Sequence, residues 1–504
     1  MKFEVWKLRV KERFSLYVIA LCLPFIVWGI SGILPTFDDY TTLQSPQFTP
    51  VLSSQLLPTD GFWRPFDYLF GCLLGRHTWL FPVLNHVVII VGHTISALLV
   101  YKICSHVVCN HVATNLATLF FFFSPAMLGT TLAVDGLNQT FAQLWGLLAL
   151  LVYLTTHGRC VGGHVSSRDT STGCDVRTRR LLLWPLCVVL AALSKENGLA
   201  WAIVPPIFAY AFQIMSRRTT IRHLAVGVLI AVGYAVARLL LNTNQTIGED
   251  YLATTLADHV KDVVQLLAYT WVPVDYASIV YPPARNWPLA ILTLLLATPF
   301  LLFLAVRGTS LLRSKKLPLL LLCFLILASP HLLTLTSIMH NYAPLAIAAV
   351  IVAVIIAYYI PHSLHHSISH SLILSFSSFL LAAIITDIHH FQATFQSGRL
   401  SRQMAMETIK KTGEKANNVF CISIVSSDDV PGYSSFYVSP VNAFAWGLSV
   451  RRYTDYQWPE TITDTVISNV SQVKHIADSV FQTNTQFIWI VDNKKNDVTV
   501  IENK

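Results

Sequence analysis

The chain has 504 residues, of which 54% are hydrophobic and only 12% are charged, and its mean hydropathy is +0.54. Roughly 25–35% charge is typical of a soluble surface, so this composition excludes an ordinary cytosolic enzyme, a disordered protein and a DNA-binding domain, and it predicts that most of the chain faces lipid. The formal net charge of +8 does not indicate nucleic acid as a partner, because the charges are segregated along the chain.

Apolar runs long enough to cross a bilayer recur from the N-terminus to about residue 389. The first run follows a charged start and lacks a small-residue cleavage site, so we interpret it as a retained span and not as a signal peptide. About eleven spans are predicted: 15–35, 80–101, 112–132, 137–156, 181–194, 198–215, 223–241, 288–306, 317–337, 342–360 and 371–388.

Lysine and arginine set the predicted orientation. With the N-terminus in the cytoplasm and the spans alternating, 18 of these residues fall in inner segments and 5 in the outer loops that precede the C-terminal tail. The sequence therefore predicts an integral multi-pass protein of a bacterial inner membrane or the endoplasmic reticulum, with the C-terminal tail outside.

Two long outer loops and a polar tail complete the predicted organisation. The first loop covers 36–79 and the second about 242–287, where a half-apolar helix (DVVQLLAYTW) is expected to lie at the outer face or to re-enter the membrane. In the tail, VFCISIV is typical of a buried strand and QFIWIVDNKKNDVTVIE of a hairpin. The predicted division is a transmembrane domain at 1–389 and a soluble extracytoplasmic α/β domain at 390–504.

An acidic pair, Asp38-Asp39, follows the first span directly. Two adjacent carboxylates repel each other and lose part of their hydration at a membrane surface, so the pKa of one of them should rise. A raised pKa suits a general base that takes a proton from an incoming acceptor. The alternative is a solvated acidic pair at the exit of a helix.

Two arginines are candidates for holding an anion. Arg64 lies at the start of the helix that the segment WRPFDYLF is expected to form at the interface. Its guanidinium can bind phosphate oxygens or anchor the segment to headgroups. Arg238 lies near the outer end of an apolar run, where it either snorkels to the interface or faces a polar cavity or an anionic ligand.

A charged turn, Ser194-Lys195-Glu196-Asn197-Gly198, separates two closely spaced apolar runs. Charges so close to a bilayer are costly without partners and often mark function. Lys195 is therefore a candidate phosphate ligand that Glu196 orients, and a turn that satisfies its own charges is the alternative.

The segment Met339-His340-Asn341-Tyr342 stands at the outer start of a late span, where His340 and Tyr342 contact either a headgroup or sugar or simply belong to the aromatic belt. No metal site is predicted. The run HSLHHSISH lies in a predicted cytoplasmic loop without a carboxylate partner, so we interpret it as a solvated loop.

The order of these motifs resembles the GT-C superfamily of integral-membrane glycosyltransferases, in the branch of the protein O-mannosyltransferases and their bacterial relatives. The resemblance is carried over about residues 1–390 by FDDY, WRPFDYLF, FPVLNHVVIIVGHTISALLVY, SPAMLGTTLAVDGLNQT, LSKENGLAW and MHNYAPLAI. In MHNYAPLAI this chain departs from relatives, which often carry an Arg-Tyr pair there.

The resemblance implies transfer of a sugar from a polyprenyl-phosphate carrier to a protein, lipid or glycan acceptor outside the cytoplasm, with inversion. It places the base on Asp38 or Asp39 and the grip on the carrier phosphate on Arg64, Lys195 and Arg238, with Glu196, His340 and Tyr342 in support. No cofactor is identified, and a divalent-metal requirement differs among relatives.

Three alternatives to this function are open. A polysaccharide polymerase or ligase would be expected to have a large outer loop late in the chain, whereas the acids here lie in an early one. A transporter of lipid-linked glycans usually shows repeated halves and polar groups near the membrane midplane, and no repeat is visible here. A simple anchor for the tail would need far fewer spans.

Overall fold

A computed structural model describes residues 12–30, 64–65, 82–132, 136–157, 183–240, 255–274, 279, 286–332, 338–360, 366–412, 418–424, 461–467, 470–480, 482–483, 485–492 and 497–502. The α-helices in these ranges are α1 Phe14–Ile30, α2 Pro82–Val108, α3 His111–Phe122, α4 Leu128–Thr131, α5 Leu137–His157, α6 Leu183–Ser194, α7 Val204–Ala211, α8 Arg217–Leu240, α9 Leu256–Trp271, α10 Trp287–Leu311, α11 Lys316–Ala328, α12 Tyr342–Tyr359, α13 His366–Thr412 and α14 Gln472–Val480.

Each predicted span overlaps one or more of the helices α1 to α13, so the chain is a helical multi-pass membrane protein as predicted. Six helices within the described ranges are long and apolar enough to cross a membrane, or seven if α3 and the segment Pro125–Thr131, bent by 44°, form one broken span. The total of eleven spans stays a prediction, because several of the remaining apolar helices are short.

Burial separates a central helix from lipid-facing ones. Helix α12 is apolar all round and is buried along nearly its whole length, with small Ala side chains on several faces that let neighbouring helices approach. Helix α8 is also apolar, but Leu229 and Leu240 are 69% and 80% exposed, as expected for a helix that faces lipid.

The predicted helix of the second outer loop is confirmed as α9. It begins with a capping box in which the Thr255 hydroxyl accepts from the Asp258 amide and the Asp258 carboxylate accepts from the Thr255 amide. Its polar residues Asp262 and Thr270 are buried against the protein, whereas Val260 and Val264 on the other face are exposed. A helix with its apolar face outward fits the lipid interface.

The tail forms a small α/β unit. Its strands are β1 Asn418–Ile424, β2 Thr461–Ile467, β3 Phe487–Asp492 and β4 Asp497–Glu502, in the order β2-β1-β3-β4. The predicted strand β1 and the antiparallel hairpin β3–β4 are confirmed, and β1 pairs in parallel with both β2 and β3. Helix α13 continues past the predicted boundary at residue 390 to Thr412, so an unbroken helix joins the two predicted domains.

Candidate functional site

The charged turn predicted from the sequence is a short, tightly packed connection between α6 and a 3-10 segment, Glu196–Ala202. Lys195 adopts an extended conformation that ends the helix, and the Gly198 amide donates to the Lys195 carbonyl at 2.8 Å. A Cβ on Gly198 would lie 2.3 Å from the Ala191 carbonyl oxygen, so only glycine fits there. The turn therefore projects Lys195, Glu196 and Asn197 at fixed positions.

Arg64 and Glu196, 132 positions apart, form a forked ion pair. The Arg64 Nε donates to both carboxylate oxygens of Glu196 at 3.0 Å, and Nη2 donates to Oε2 at 2.8 Å. The two side chains are only 17% and 22% exposed. The pair ties Arg64 of the first outer loop to the charged turn. The role of Glu196 in orienting Lys195 stays a prediction.

Two opposing effects act on Glu196. Burial by itself raises the pKa of this carboxyl group, but the charge and hydrogen bonds of Arg64, with smaller help from Lys195, outweigh it and hold the pKa below its ordinary value. Glu196 is therefore ionised at neutral pH. Because the folded-state pKa is depressed, its contribution to stability is present at neutral pH and is lost as the pH falls through that value.

Arg238 belongs to the same neighbourhood. Helix α8 packs closely on the 3-10 segment at Gly227, where a Cβ would lie 2.2 Å from the Ala202 carbonyl oxygen. Further along α8, the Tyr234 hydroxyl donates to the Ala192 carbonyl at 3.3 Å. The charges of Glu196, Arg238 and Arg64 all act on this phenol, so three of the predicted site residues converge around Tyr234.

Lys195 lies between the charged residues Arg64, Glu196 and Arg238 and two histidines. Its charge acts on His331 and His340, whose rings stack with centroids 4.1 Å apart and an interplanar angle of 15°. Burial lowers the pKa of His340 to about 3, and Lys195 acts in the same direction. His340 is therefore a neutral hydrogen-bonding group, and it does not supply the positive charge of the arginine that relatives carry in this motif.

Tyr342 lies deeper in the bundle. Its hydroxyl donates to His93 Nδ1 at 2.9 Å, and His93 Nε2 donates to the Phe122 carbonyl at 3.1 Å. The side chain is fully buried and ties α12 to α2 and α3. These contacts join helices and do not reach the charged turn, so the supporting role of Tyr342 at the site stays a prediction.

The predicted base, Asp38 or Asp39, lies outside the described residues, as does most of the first outer loop. Helix α1 ends at Ile30, eight residues before Asp38. The catalytic assignment of this pair therefore stays a prediction.

A cavity of about 420 Å³ opens beside the end of α1. Its walls come from α1, α2, α13 and the bend that follows α3, and they are almost wholly apolar, with Phe25, Ile90, Leu128 and Phe391 among them. Such a groove suits a hydrocarbon chain.

Sequence reasoning missed Gln139, Asn197 and His331, which form a buried polar cluster beside Lys195. Asn197 Nδ2 lies 3.0 Å from Gln139 Oε1 and 2.9 Å from His331 Nε2. The available signal was a polar side chain inside or next to a predicted span, as Gln139 is in 137–156 and His331 in 317–337. No group of three or more potential metal ligands occurs in the residues that the structure describes.

The Arg64–Glu196 pair yields a stability prediction. Replacing either partner alone, as Arg64→Met or Glu196→Met, should cost about 1–3 kcal/mol, because the remaining charge stays mostly buried without its partner. The double variant should be destabilised by less than the sum of the two. Thermal unfolding of the purified variants measures this coupling.

The matched control is the exposed pair of Glu12 and His111, which are 3.9 Å apart. Glu12→Gln should leave the unfolding temperature unchanged, since exposed pairs contribute little. Strictly additive effects of the Arg64 and Glu196 substitutions would contradict the pairing.

No protein-family model and no curated protein matches the chain. Solved structures with a similar chain trace include ArnT from Cupriavidus metallidurans in the apo state, at 10% identity and a TM-score of 0.48 over 95% of this chain and 93% of that one. The Archaeoglobus fulgidus oligosaccharyltransferase in the apo form aligns at 12% identity and a TM-score of 0.47 over 96% and 69%. The same enzyme, tethered to an acceptor peptide with an NVT sequon via a disulfide bond, aligns at 12% identity and a TM-score of 0.45. This alignment covers 95% of this chain and 69% of that one.

Both neighbours belong to the GT-C superfamily, the group that the sequence motifs resemble.

Proposed function

We propose that this chain is a membrane glycosyltransferase that moves a sugar from a polyprenyl-phosphate carrier to a protein, lipid or glycan acceptor on the non-cytoplasmic face. The observation that carries the proposal is the charged turn, where Arg64 pairs with Glu196 and the charge of Lys195 acts on the same carboxylate. Arg238 is linked to this group through Tyr234, on which the charges of Arg64 and Glu196 also act. Charged side chains at the edge of a membrane bundle often mark the site of an ion or an anionic substrate.

The charge of this group matches a carrier phosphate. Among the described residues, the three cations and the carboxylate of Glu196 leave a formal excess of two positive charges, the proposed base not included. A sugar linked to a carrier phosphate carries one negative charge on that phosphate, and the released carrier phosphate approaches two. A site that matches the charge of the leaving group stabilises the transition state more than the bound donor, which is the requirement for catalysis.

The proposed reaction needs one proton acceptor and no redox step. Asp38 or Asp39 accepts the proton of the acceptor hydroxyl or amide as that atom bonds to the anomeric carbon. The bond from this carbon to the phosphate oxygen breaks on the opposite side, so the configuration inverts. The electron pair of the broken bond stays on the carrier phosphate, where the cations of the site stabilise it.

The apolar cavity beside α1 supports a lipid-linked donor, because an isoprenoid chain needs a hydrocarbon-like groove. Ile30, which lines this cavity, precedes Asp38 by only eight residues in the sequence. We expect a donor held in this way to stay in the membrane while its phosphate binds the cations of the charged turn.

The test is whether the purified full chain transfers a sugar from a lipid-linked donor to an acceptor in vitro. Undecaprenyl-phosphate mannose is supplied with peptide, lipid and glycan acceptors, and the acceptor mass is expected to rise by one sugar residue. Dolichyl-phosphate mannose and undecaprenyl-phosphate glucose test the carrier and the sugar. Absence of transfer with every pair, together with movement of the intact donor across vesicle membranes, would favour a transporter and overturn the proposal.

A further inference from the structure

The polar cluster of Gln139, Asn197 and His331 has hydrogen-bonding capacity that the protein does not use. All three side chains are nine-tenths or more buried. Gln139 Nε2 and Asn197 Oδ1 have no hydrogen-bond partner within the described chain, although both amides are otherwise engaged. Leaving a buried amide group without a partner is unfavourable, so a pair of them side by side points to a polar ligand that uses them.

The unused groups are one donor and one acceptor, whichever way the amides are oriented. If Asn197 Nδ2 donates to Gln139 Oε1 and His331 Nε2, the unused atoms are a Gln139 N–H donor and the Asn197 carbonyl. If both amides are rotated by 180°, Asn197 Oδ1 accepts from Gln139 and from His331, and the unused atoms become a Gln139 carbonyl and an Asn197 N–H donor. Adjacent amides that offer one donor and one acceptor complement a hydroxyl group, which both donates and accepts.

The cluster is neutral and lies next to the cations. Asn197 is two residues from Lys195 in the same rigid turn, and His331 stacks on His340. Two protonated rings would repel each other at that separation, so the stack indicates neutral imidazoles. A phosphate would bind the cations, whereas an uncharged hydroxyl close to that phosphate would form hydrogen bonds with the amides.

We propose that Gln139 and Asn197 bind a hydroxyl of the carrier-linked sugar, with His331 holding Asn197 in position. The inference rests on the proposed function, because it takes the phosphate of the donor to lie at Lys195. In a sugar phosphate the hydroxyls nearest the anomeric carbon lie within a few ångströms of the phosphate, as the adjacency of Lys195 and Asn197 requires.

The experiment compares binding of bare and sugar-loaded carriers to the full chain in lipid nanodiscs. The probes are undecaprenyl phosphate and undecaprenyl-phosphate-linked mannose, glucose and xylose. The unaltered protein should bind at least one loaded carrier about tenfold more tightly than the bare carrier, the effect of one or two good hydrogen bonds. Gln139→Met should abolish this preference and leave the affinity for undecaprenyl phosphate unchanged.

Thr114→Val is the matched control, since Thr114 is also buried and its hydroxyl has no described partner, but it lies in α3 away from the charged turn. This variant should keep the preference for the loaded carrier. Loss of the preference in Gln139→Met but not in Thr114→Val supports the proposal.

Deoxy donors test the same contact without altering the protein. Removing one sugar hydroxyl at a time from the best-bound donor should identify one position whose loss weakens binding about tenfold, and the same deletion should have no effect in Gln139→Met. A preference that survives Gln139→Met, or no sensitive hydroxyl, would overturn this inference, and the amides would then hold only water. Failure to bind even undecaprenyl phosphate would instead contradict the proposed function.

Discussion

Replacing the first-loop carboxylates should abolish sugar transfer while the protein still inserts and folds. Asp38→Asn or Asp39→Asn, at whichever position supplies the base, is expected to lower the transfer rate by about 10²–10⁴-fold, the usual contribution of general base catalysis. An amide keeps the size of the side chain but cannot accept the proton. The rate is measured with the donor and acceptor of the transfer assay, and the unfolding temperature shows whether the fold is intact.

Asp478→Asn is the control for this change, because Asp478 is an exposed carboxylate on α14 in the tail. It should leave the rate unchanged. Full activity in both Asp38→Asn and Asp39→Asn would remove the base from this loop. Arg64 supports the assignment, since it places part of the same loop against the charged turn.

Lys195→Met should weaken the grip on the carrier phosphate and reduce kcat/KM by about 10²–10³-fold, the size of the effect when one charge-stabilising donor is removed from an active site. Lys195 lies between the charged group and the neutral polar cluster, and it acts on His331 and His340 across that boundary. Removing it lowers the excess charge of the site from two to one. The bare carrier should bind more weakly as well, which separates this variant from Gln139→Met.

Lys102→Met is the matched control, because Lys102 is an exposed lysine on α2 in a predicted cytoplasmic segment. It should bind undecaprenyl phosphate as the unaltered chain does. Lys195→Arg should retain part of the activity, since the charge is kept but the shape of its head changes. Unchanged affinity for undecaprenyl phosphate in Lys195→Met would contradict phosphate binding at this turn.

The roles of the three cations differ in a way that only the contacts reveal. Arg64 directs Nε and Nη2 at Glu196 and joins two parts of the chain, so its substitution alters both stability and binding. Arg238 lies in the last turn of α8, where its charge also faces the negative end of the helix dipole. Lys195 is therefore the cation whose substitution tests phosphate binding most directly.

Local sequence patterns were sufficient to predict most of the helices and part of the secondary structure of the tail. The apolar runs predicted the helices α1 to α13 other than α9, because lipid selects apolar residues wherever a helix crosses it, whatever its neighbours are. The alternation of apolar and polar residues on either side of the polar turn in QFIWIVDNKKNDVTVIE predicted the hairpin of β3 and β4. Strand β2 was missed, because the polar segment TITDTVI is a strand only through its pairing with β1. Helix α14 was also missed.

By itself, the sequence determined that the chain is a multi-pass membrane protein, that charges cluster at a few turns, and which of those turns could hold an anion. These properties depend on residue type and spacing alone. Only the tertiary structure decided that Arg64 binds Glu196, that Arg238 shares their surroundings and that Gln139 meets Asn197 and His331. Such contacts join residues tens to more than a hundred positions apart, and helix packing, which no local pattern encodes, sets which side chains meet.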